Sequence, residues 1–283
     1  MKNLTLLSLI FAFIFFNFNT FAQKDEESNE SNSNPKHINI YSLGEKIETD
    51  DYIIVIEDVF SKMDYLKLKI KISNKTSEYL LFKGDECVFK LDNGNFKSKE
   101  KSVFIEPFDT KSKVLEIKGD GQNYHVEKFS LEINGIYKVP ISEKSFTASN
   151  FQLPPNAKDF VAGPFSCILL GTEQKTDETW ARFNCKYNGS NVGFINPAKC
   201  VAQIPDGQEF STVNLKSKIE ILTAGDDIKF GTIFQIPGKI ADMQFTTLNI
   251  IWKETFTEST TKPLASQTAS FEVDAAKTAI KNK

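Results

Sequence analysis

The stretch Leu66-Lys67-Leu68-Lys69-Ile70-Lys71-Ile72 alternates aliphatic side chains with lysines without interruption. Because successive side chains of a β-strand point to opposite faces, this pattern predicts a strand with one face in a core and the other in water. Similar short runs rich in Ile, Val, Leu and Phe lie around it, at 52–60, 79–83, 86–91, 102–107, 113–117 and 129–139. Many short strands with no helical periodicity predict an antiparallel β-sandwich.

The same plan occurs a second time along the chain. The segment CVFKLDNG, from Cys87 to Gly94, parallels CVAQIPDG, from Cys200 to Gly207. Further along, LEIKG at 115–119 parallels FQIPG at 234–238, and the run 129–137 parallels 245–252. Similar segments that recur in the same order along a chain indicate a repeated unit. We therefore predict an all-β protein with two copies of one module in tandem.

The composition along the chain also predicts its boundaries. Residues 24–36 are polar and lack large apolar side chains, so they favour a disordered spacer, and Pro154-Pro155 suits a semi-stiff connector. The predicted organisation is a signal peptide at 1–22, a disordered spacer at 23–37, a first sandwich at 38–140, a linker at 141–161, a second sandwich at 162–257 and a C-terminal tail at 258–283. The last part of the tail, from Phe271 to Ile280, has a strand or a short helix as an alternative.

The first residues have the layout of a secretory signal peptide. A basic start at Lys2 precedes an apolar run from Leu4 to Phe16, and small residues, Thr20 and Ala22, precede a cleavage site before Gln23. The run is short for a bilayer span, which needs about 20 apolar residues. We expect the protein to be exported to the periplasm or the extracellular space, without stable membrane insertion after cleavage; a short N-terminal anchor is the alternative.

At this point the sequence resembles a known family. The motifs Pro205-Asp-Gly207 and Phe234-Gln-Ile-Pro237 are similar to those of the tandem immunoglobulin-like β-sandwich modules found in many bacterial extracytoplasmic proteins. The composition, rich in Lys, Asn and Phe, resembles that of exported Bacteroidetes-type proteins. The resemblance implies two immunoglobulin-like sandwiches and says almost nothing about activity, because one fold hosts many functions.

Composition argues against several classes of function. The net charge is −3, which gives no electrostatic reason to bind nucleic acid. The chain has two histidines and one arginine, Arg182, and it has no nucleophile-elbow, zinc-binding or phosphate-loop motif. The acidic turn Asp92–Asn95 lacks the later glutamate of a calcium loop. We predict no catalytic residue, no metal site and no cofactor.

The four cysteines fall into two pairs. A hairpin loop at 175–179 would place Cys167 and Cys185 at equal distances from its midpoint, so we expect them to face each other across two strands. In the first copy the matching positions are Ile54 and Ile72, so a disulfide and two reduced core thiols are both consistent with the pattern. Cys87 and Cys200 occupy equivalent positions in the two copies, and we expect each to be a buried free thiol.

One strand face is the candidate ligand-binding surface. Trp180, Arg182, Asn184 and Lys186 alternate with residues expected in the core. Their equivalents in the first copy are Lys67, Lys69, Lys71 and Ser73, which read as an ordinary solvated face. Trp and Arg are over-represented in binding hot spots. The alternative is that this face packs against the linker, the tail or the other module.

These observations predict a non-enzymatic exported binding protein. Its ligand would be another protein or a surface polymer such as a glycan, recognised through sheet edges, faces or loops. One alternative is a structural spacer or accessory subunit of a cell-envelope assembly. A second is a metal-assisted hydrolase with a site between the modules, which the scarcity of histidine disfavours.

Overall fold

The computed structural model of the protein describes residues 36–119, 121–141, 143–213 and 217–283. The predicted signal peptide and nearly all of the predicted spacer lie outside the described residues. Strands dominate the described part, and all strand pairs are antiparallel. The expectation of an all-β chain is therefore confirmed at this level.

Eleven strands come from the N-terminal part of the chain. They are β1 Asn39–Ile40, β2 Ile47–Glu48, β3 Tyr52–Ser61, β4 Tyr65–Asn74, β5 Tyr79–Phe82, β6 Val88–Leu91, β7 Gly94–Lys97, β8 Val103–Ile105, β9 Thr110–Lys118, β10 Lys128–Ile133 and β11 Ile136–Val139.

The next strands follow the same succession. They are β12 Lys144–Phe146, β13 Phe151–Leu153, β14 Asp159–Ala162, β15 Phe165–Gln174, β16 Glu178–Tyr187, β17 Val192–Ile195, β18 Val201–Gln203, β19 Glu209–Ser211, β20 Glu220–Leu222, β21 Asp227–Gln235, β22 Leu248–Ile251 and β23 Phe256–Ser259. The chain ends with β24 Lys262–Pro263, β25 Gln267–Glu272 and the helix α1 Ala275–Lys281.

Strand pairing divides the described residues into two halves with matching sheets. The first half contains the long sheet β1-β3-β4-β9, with β2 paired to β3, and the second half contains the long sheet β14-β15-β16-β21. Each half adds two short sheets, β25-β10-β6-β7 and β24-β11-β5-β8 in the first, and β13-β22-β18-β19 and β12-β23-β17-β20 in the second. A short 3-10 helix, at Gly84–Glu86 or Pro197–Lys199, lies between the consecutive strands of the two short sheets.

The burial of side chains along β4 follows the alternation predicted from the sequence. Leu66, Leu68, Ile70 and Ile72 are each at most 1% exposed, and the lysines between them face outward. These residues belong to one buried cluster in the first half, while a separate cluster built on Phe165, Phe183 and Phe230 fills the second. Period-two burial of aliphatic and phenyl side chains thus forms a core in each half.

The structure differs from the predicted linker and tail. The expected connector at 141–161 contains β12, β13 and all but the last residue of β14, and these strands pair with strands of the second half. Residues 262–272, expected as part of a tail, form β24 and β25, which pair with β11 and β10 of the first half. The physical reason is local alternation within short runs: Phe151 and Leu153 are buried on either side of a half-buried Gln152, and Phe271 is buried on β25.

The second half is therefore a continuous segment, and the first half is not. The chain leaves the first half after β11, builds the second half from β12 to β23, and returns to complete the first half with β24, β25 and α1. β12 and β13, which open the second half, pair with β23 and β22. β24 and β25, which close the first half, pair in the same way with β11 and β10. The first half is in effect a circularly permuted version of the second.

A third apolar cluster joins the two halves. Tyr79 and Leu81 of β5 pack with Val192 and Phe194 of β17, and the Tyr79 and Phe194 ring centres are 5.8 Å apart. All four residues of β5 and all four of β17 are buried, because each strand has a core on one face and the other half on its second face. Strands buried on both faces read as continuous apolar runs, as these do.

Candidate functional site

The four predicted site residues lie together on the outer face of β16. Thr179, Ala181, Phe183, Cys185 and Tyr187 of this strand are buried, and the residues between them are half-buried or exposed. Trp180 and Asn184 are half-buried, while Arg182 and Lys186 are exposed. The strand sits in the middle of its sheet, between β15 and β21, so these side chains project from a paired, rigid platform.

Arg182 is flanked by glycine on both sides. Its partner on β15 is Gly171 and its partner on β21 is Gly231. Without a side chain at Gly231, the sheet surface dips on the β21 side of the arginine. A surface cavity of about 420 Å³ lies here, lined by Trp180, Arg182 and residues 229–233 of β21.

Trp180 is held in a defined orientation. Its Nε1 donates a hydrogen bond to Glu173 Oε2 at 2.8 Å. A Cβ atom at Gly171 would lie 3.6 Å from Cη2 of the indole, so the ring extends over this glycine. The Arg182 guanidinium carbon is 5.9 Å from the indole centre, within cation–π range. Trp180 therefore lies along the sheet, over Gly171, and is half-buried.

An aliphatic patch extends the surface across β14 and β15. Val161, Ile168 and Leu170 are 62%, 48% and 46% exposed. Ile168 pairs with Asn184, and Val161 pairs with Ser166 beside Lys186, so two of the three share the outer face with the predicted residues. Leu170 projects outward because the register shifts by one residue between Leu169 and Gly171. Clustered exposed aliphatic side chains mark interaction sites more often than isolated ones do.

Charged side chains also project from this face. In the described part of the chain, no carboxylate lies within ion-pair distance of Arg182, Lys186 or Lys229. Lys229 is adjacent to Asn184 in the sheet. Among the described residues, Asn184 Oδ1 is also a buried oxygen without a hydrogen-bond partner. Asp159 opposite Ile168, Glu173 opposite Trp180 and Asp227 opposite Lys186 lie on the same face. The face therefore combines apolar area with charged groups of both signs and an unused acceptor.

A disulfide lies directly beneath this face. Cys167 and Cys185 are opposite each other in the β15–β16 pair, both are buried, and the structure joins them covalently. The bond closes a loop of 18 residues, which is worth on the order of 3 kcal/mol if the bridge is unstrained. The disulfide also prevents β15 from separating from β16, and so it keeps the aliphatic patch beside Trp180.

Two thiols and two histidines are the other groups of interest in the described part of the chain. Cys87 and Cys200 are fully buried, and desolvation raises the pKa of each thiol to about 12. His37 Nδ1 and His125 Nε2 are 2.8 Å apart, and burial together with the charge of His37 lowers the pKa of His125. Neither histidine contacts a thiol in the described residues, and no group of three or more His, Cys, Asp or Glu side chains there could hold a metal ion.

Comparisons with known proteins add no assignment. No family model matches the chain, and no curated protein matches it. Across the part of the chain that the structure describes, no helix combines the length and apolar character that crossing a bilayer requires.

Sequence analysis missed three components of this surface. Gly171 and Gly231 matter only because strand register puts them on both sides of Arg182, and two isolated glycines in strand patterns carry no such signal. The aliphatic patch depends on the irregularity at Leu170, which simple alternation cannot anticipate. Ile168, however, lies two residues from Ser166 and therefore on the same strand face. An exposed aliphatic side chain on β15 could have been predicted from this spacing.

Proposed function

We propose that the protein is an exported, non-enzymatic binding protein made of two immunoglobulin-like modules. The outer face of the sheet β14-β15-β16-β21 binds a partly apolar surface of another protein. The observation that carries this proposal is the continuity of Trp180 and Arg182 with the aliphatic patch of Val161, Ile168 and Leu170.

The composition of the face favours a protein over a glycan. Sugar rings need an open aromatic face with hydrogen-bonding groups around it, whereas three exposed aliphatic side chains gain free energy only by burial against apolar atoms. Trp and Arg are the residue types most enriched at the centres of protein interfaces. Charges of both signs on the face, among them Arg182, Lys186 and Asp227, favour a partner with complementary charges opposite them.

The two-module architecture is supported by the matching sheets of the two halves, and export is supported by the leader predicted in the sequence and by the disulfide. Disulfides persist in oxidising compartments such as the bacterial periplasm. The buried thiols and the absence of a metal cluster among the described residues give no support to hydrolysis.

The test is capture of a partner by the protein starting at Gln23, followed by reconstitution with the purified partner. We expect Trp180→Ala combined with Arg182→Ala to weaken binding by about 100-fold or more, because two hot-spot side chains are removed. The melting temperature should stay close to that of the wild type, since both side chains lie outside the core. A matched control is Phe245→Ala with Lys239→Ala, which removes an exposed aromatic and an exposed cation elsewhere in the second half.

Several outcomes would overturn the proposal. Binding to a purified polysaccharide that depends on Trp180, with no protein partner, would assign the face to a glycan. Stable membership of an envelope complex that neither variant disturbs would favour the spacer. An activity that follows bound metal and disappears with a chelator would favour the hydrolase.

A further inference from the structure

The first half carries a cavity on the same face that the second half uses for Trp180. The cavity has a volume of about 640 Å³ and lies between the outer face of β3 and β4, the strand β1 and the helix α1. Its apolar wall includes Leu43, Phe60, Tyr65 and Val114, of which Leu43 and Val114 are 51% and 43% exposed. This volume is in the usual range for pockets that bind small molecules, roughly 300–1,000 Å³.

A β-bulge turns Phe60 into the cavity. The β3–β4 register shifts between Glu57 and Phe60, and Asp58 adopts a positive φ of 53°. Val59 consequently enters the core, and Phe60 becomes opposite Lys67 on the outer face. Bulges re-aim side chains in this way and are common beside functional sites.

The helix wall of the cavity is fixed to β1. The Ile40 amide donates to Thr278 Oγ1 at 2.9 Å, and the Ile38 amide donates to Asn282 Oδ1 at 2.8 Å. Asp274 caps the helix by accepting from the Lys277 amide at 3.0 Å. The C-terminal segment, which sequence analysis took for a tail, therefore forms one side of a concave surface.

Lysines surround the apolar wall. Lys62, Lys67, Lys69, Lys277 and Lys281 line the cavity, and Asp58 is the only acidic residue among its lining side chains in the described part of the chain. Lys69 pairs with Glu57 and Lys277 pairs with Asp274. For Lys62, Lys67 and Lys281, no carboxylate among the described residues lies within ion-pair distance.

Two of these unpaired ammonium groups are positioned by aromatic rings. Lys67 Nζ is 5.5 Å from the Phe60 ring centre, and Lys62 Nζ is 5.6 Å from the Tyr65 ring centre. Each ring thus offers apolar surface to a ligand while it holds a cation near the cavity. The arrangement matches a molecule with an apolar chain and one anionic end.

We propose that this cavity binds a single-chain amphipathic carboxylate of the fatty-acid class. The chain contacts Leu43, Phe60, Tyr65 and Val114, and the carboxylate lies among Lys62, Lys67 and Lys281. Each buried methylene contributes about 0.8 kcal/mol, and charge-assisted hydrogen bonds orient the head group. A strongly polar polyanion would leave the apolar wall unfilled, and a neutral chain would leave the lysines unused.

Calorimetric titration of the protein starting at Gln23 tests the proposal. The probes are dodecanoate below its micelle concentration, dodecanol, which has the same chain without the charge, and hexanoate, which has the same head on a shorter chain. We expect dodecanoate to bind with a Kd tighter than about 100 µM and each comparison probe to bind about ten-fold or more weakly. These three measurements need no variant, so a folding defect cannot obscure them.

Two sets of substitutions assign the contacts. Lys62→Gln, Lys67→Gln and Lys281→Gln together should weaken dodecanoate by about ten-fold and leave dodecanol unchanged, because only the charge is removed. Phe60→Ala should weaken both probes. The control triple, Lys101→Gln, Lys128→Gln and Lys239→Gln, removes the same charge from exposed positions outside the cavity.

The proposal is overturned if dodecanoate does not bind up to its solubility, or if it binds no better than dodecanol. If the two sets of three lysine substitutions weaken dodecanoate binding equally, the interaction is a non-specific electrostatic attraction. Sedimentation with vesicles of anionic phospholipid, without binding of free dodecanoate, would make the feature a membrane-contact surface. None of these results bears on the protein-binding face of the second half.

Discussion

At the residue scale, the β15–β16 pair shows how one extra residue sets a site. Next to the turn, Gln174 faces Thr179, and with an unbroken ladder this register would place Cys167 opposite Lys186. The shift between Leu169 and Gly171 corrects the register so that Cys167 faces Cys185. The same irregularity exposes Leu170 and places Gly171 beside Arg182. One inserted residue therefore aligns the two cysteines and gives the Trp180 ring a glycine to lie over.

Thiol counting tests the residue-scale assignments. Because Cys87 and Cys200 are fully buried with a pKa of about 12, we expect no reaction with Ellman's reagent in the native protein at pH 8. Unfolding in guanidinium without reductant should expose two thiols, and unfolding after reduction should expose four, since Cys167 and Cys185 are bridged. Four thiols without reductant would refute the disulfide, and rapid native reaction would refute burial.

At the scale of elements, the short strands β24 and β25 complete two sheets of the first half. β25 pairs with β10 over six residues, and β24 pairs with β11. Phe271 lies opposite Phe129, with ring centres 4.7 Å apart, and it is 2% exposed. β24 corresponds to β12 of the second half, which pairs with β23, and β25 corresponds to β13, which pairs with β22. The C-terminal segment is thus part of the first core.

Substitution of Phe271 tests this role. Phe271→Ala should reduce the free energy of unfolding by about 3–5 kcal/mol, because a buried ring is lost from a packed stack. Equilibrium denaturation in urea measures the loss. Phe245→Ala is the matched control, since that ring is 85% exposed and its removal should change stability by less than about 0.5 kcal/mol. Equal, small effects of the two substitutions would place Phe271 outside the core.

At the scale of the whole molecule, the two halves are linked twice. The chain passes from β11 to β12 and returns from β23 to β24, and Val139 and Ile141 of the first crossing pack in the Tyr79–Phe194 cluster. Glu143 ties the crossings together: its carboxylate accepts from the Thr260 amide at 2.9 Å and pairs with Lys262 at 2.7 Å. Because each crossing is short, the halves cannot separate without breaking these contacts.

The acid sensitivity of this junction is testable. The hydrogen bond from Lys262, followed by those from Thr260, lowers the pKa of Glu143 to about 2. A lowered folded-state pKa means that the contribution to stability is present above the unfolded value, near 4.5, and is lost as pH falls towards 2.

We therefore expect Glu143→Gln to lower the urea midpoint at pH 7 and to flatten its decline between pH 4.5 and pH 2. The control is Glu45→Gln, at an exposed glutamate that forms no ion pair in the described residues. Parallel pH profiles for wild type and Glu143→Gln would show that Glu143 does not contribute to the junction.

Much of the local design followed from the sequence. The alternation from Leu66 to Ile72 predicted which side chains are buried, and the same parity placed Trp180 and Arg182 on the outer face of β16. The likeness between 87–94 and 200–207 predicted equivalent strands, β6 and β18, in the two halves. These features depend on residues one or two positions apart, and side-chain alternation along a strand is a local property of the backbone.

The tertiary structure alone decided which segments complete each half and where the cavities lie. The sequence of residues 262–272 does not indicate that this segment pairs with β10 and β11, more than a hundred residues earlier. The sequence around Lys67 likewise does not indicate that α1 lies opposite this lysine across a cavity. Strand partners are chosen by the total burial and hydrogen bonding of distant segments, and that choice requires the assembled core. For the same reason, the sequence predicted an ordinary solvated face at Lys67 and Lys69, whereas in the structure these lysines line a cavity.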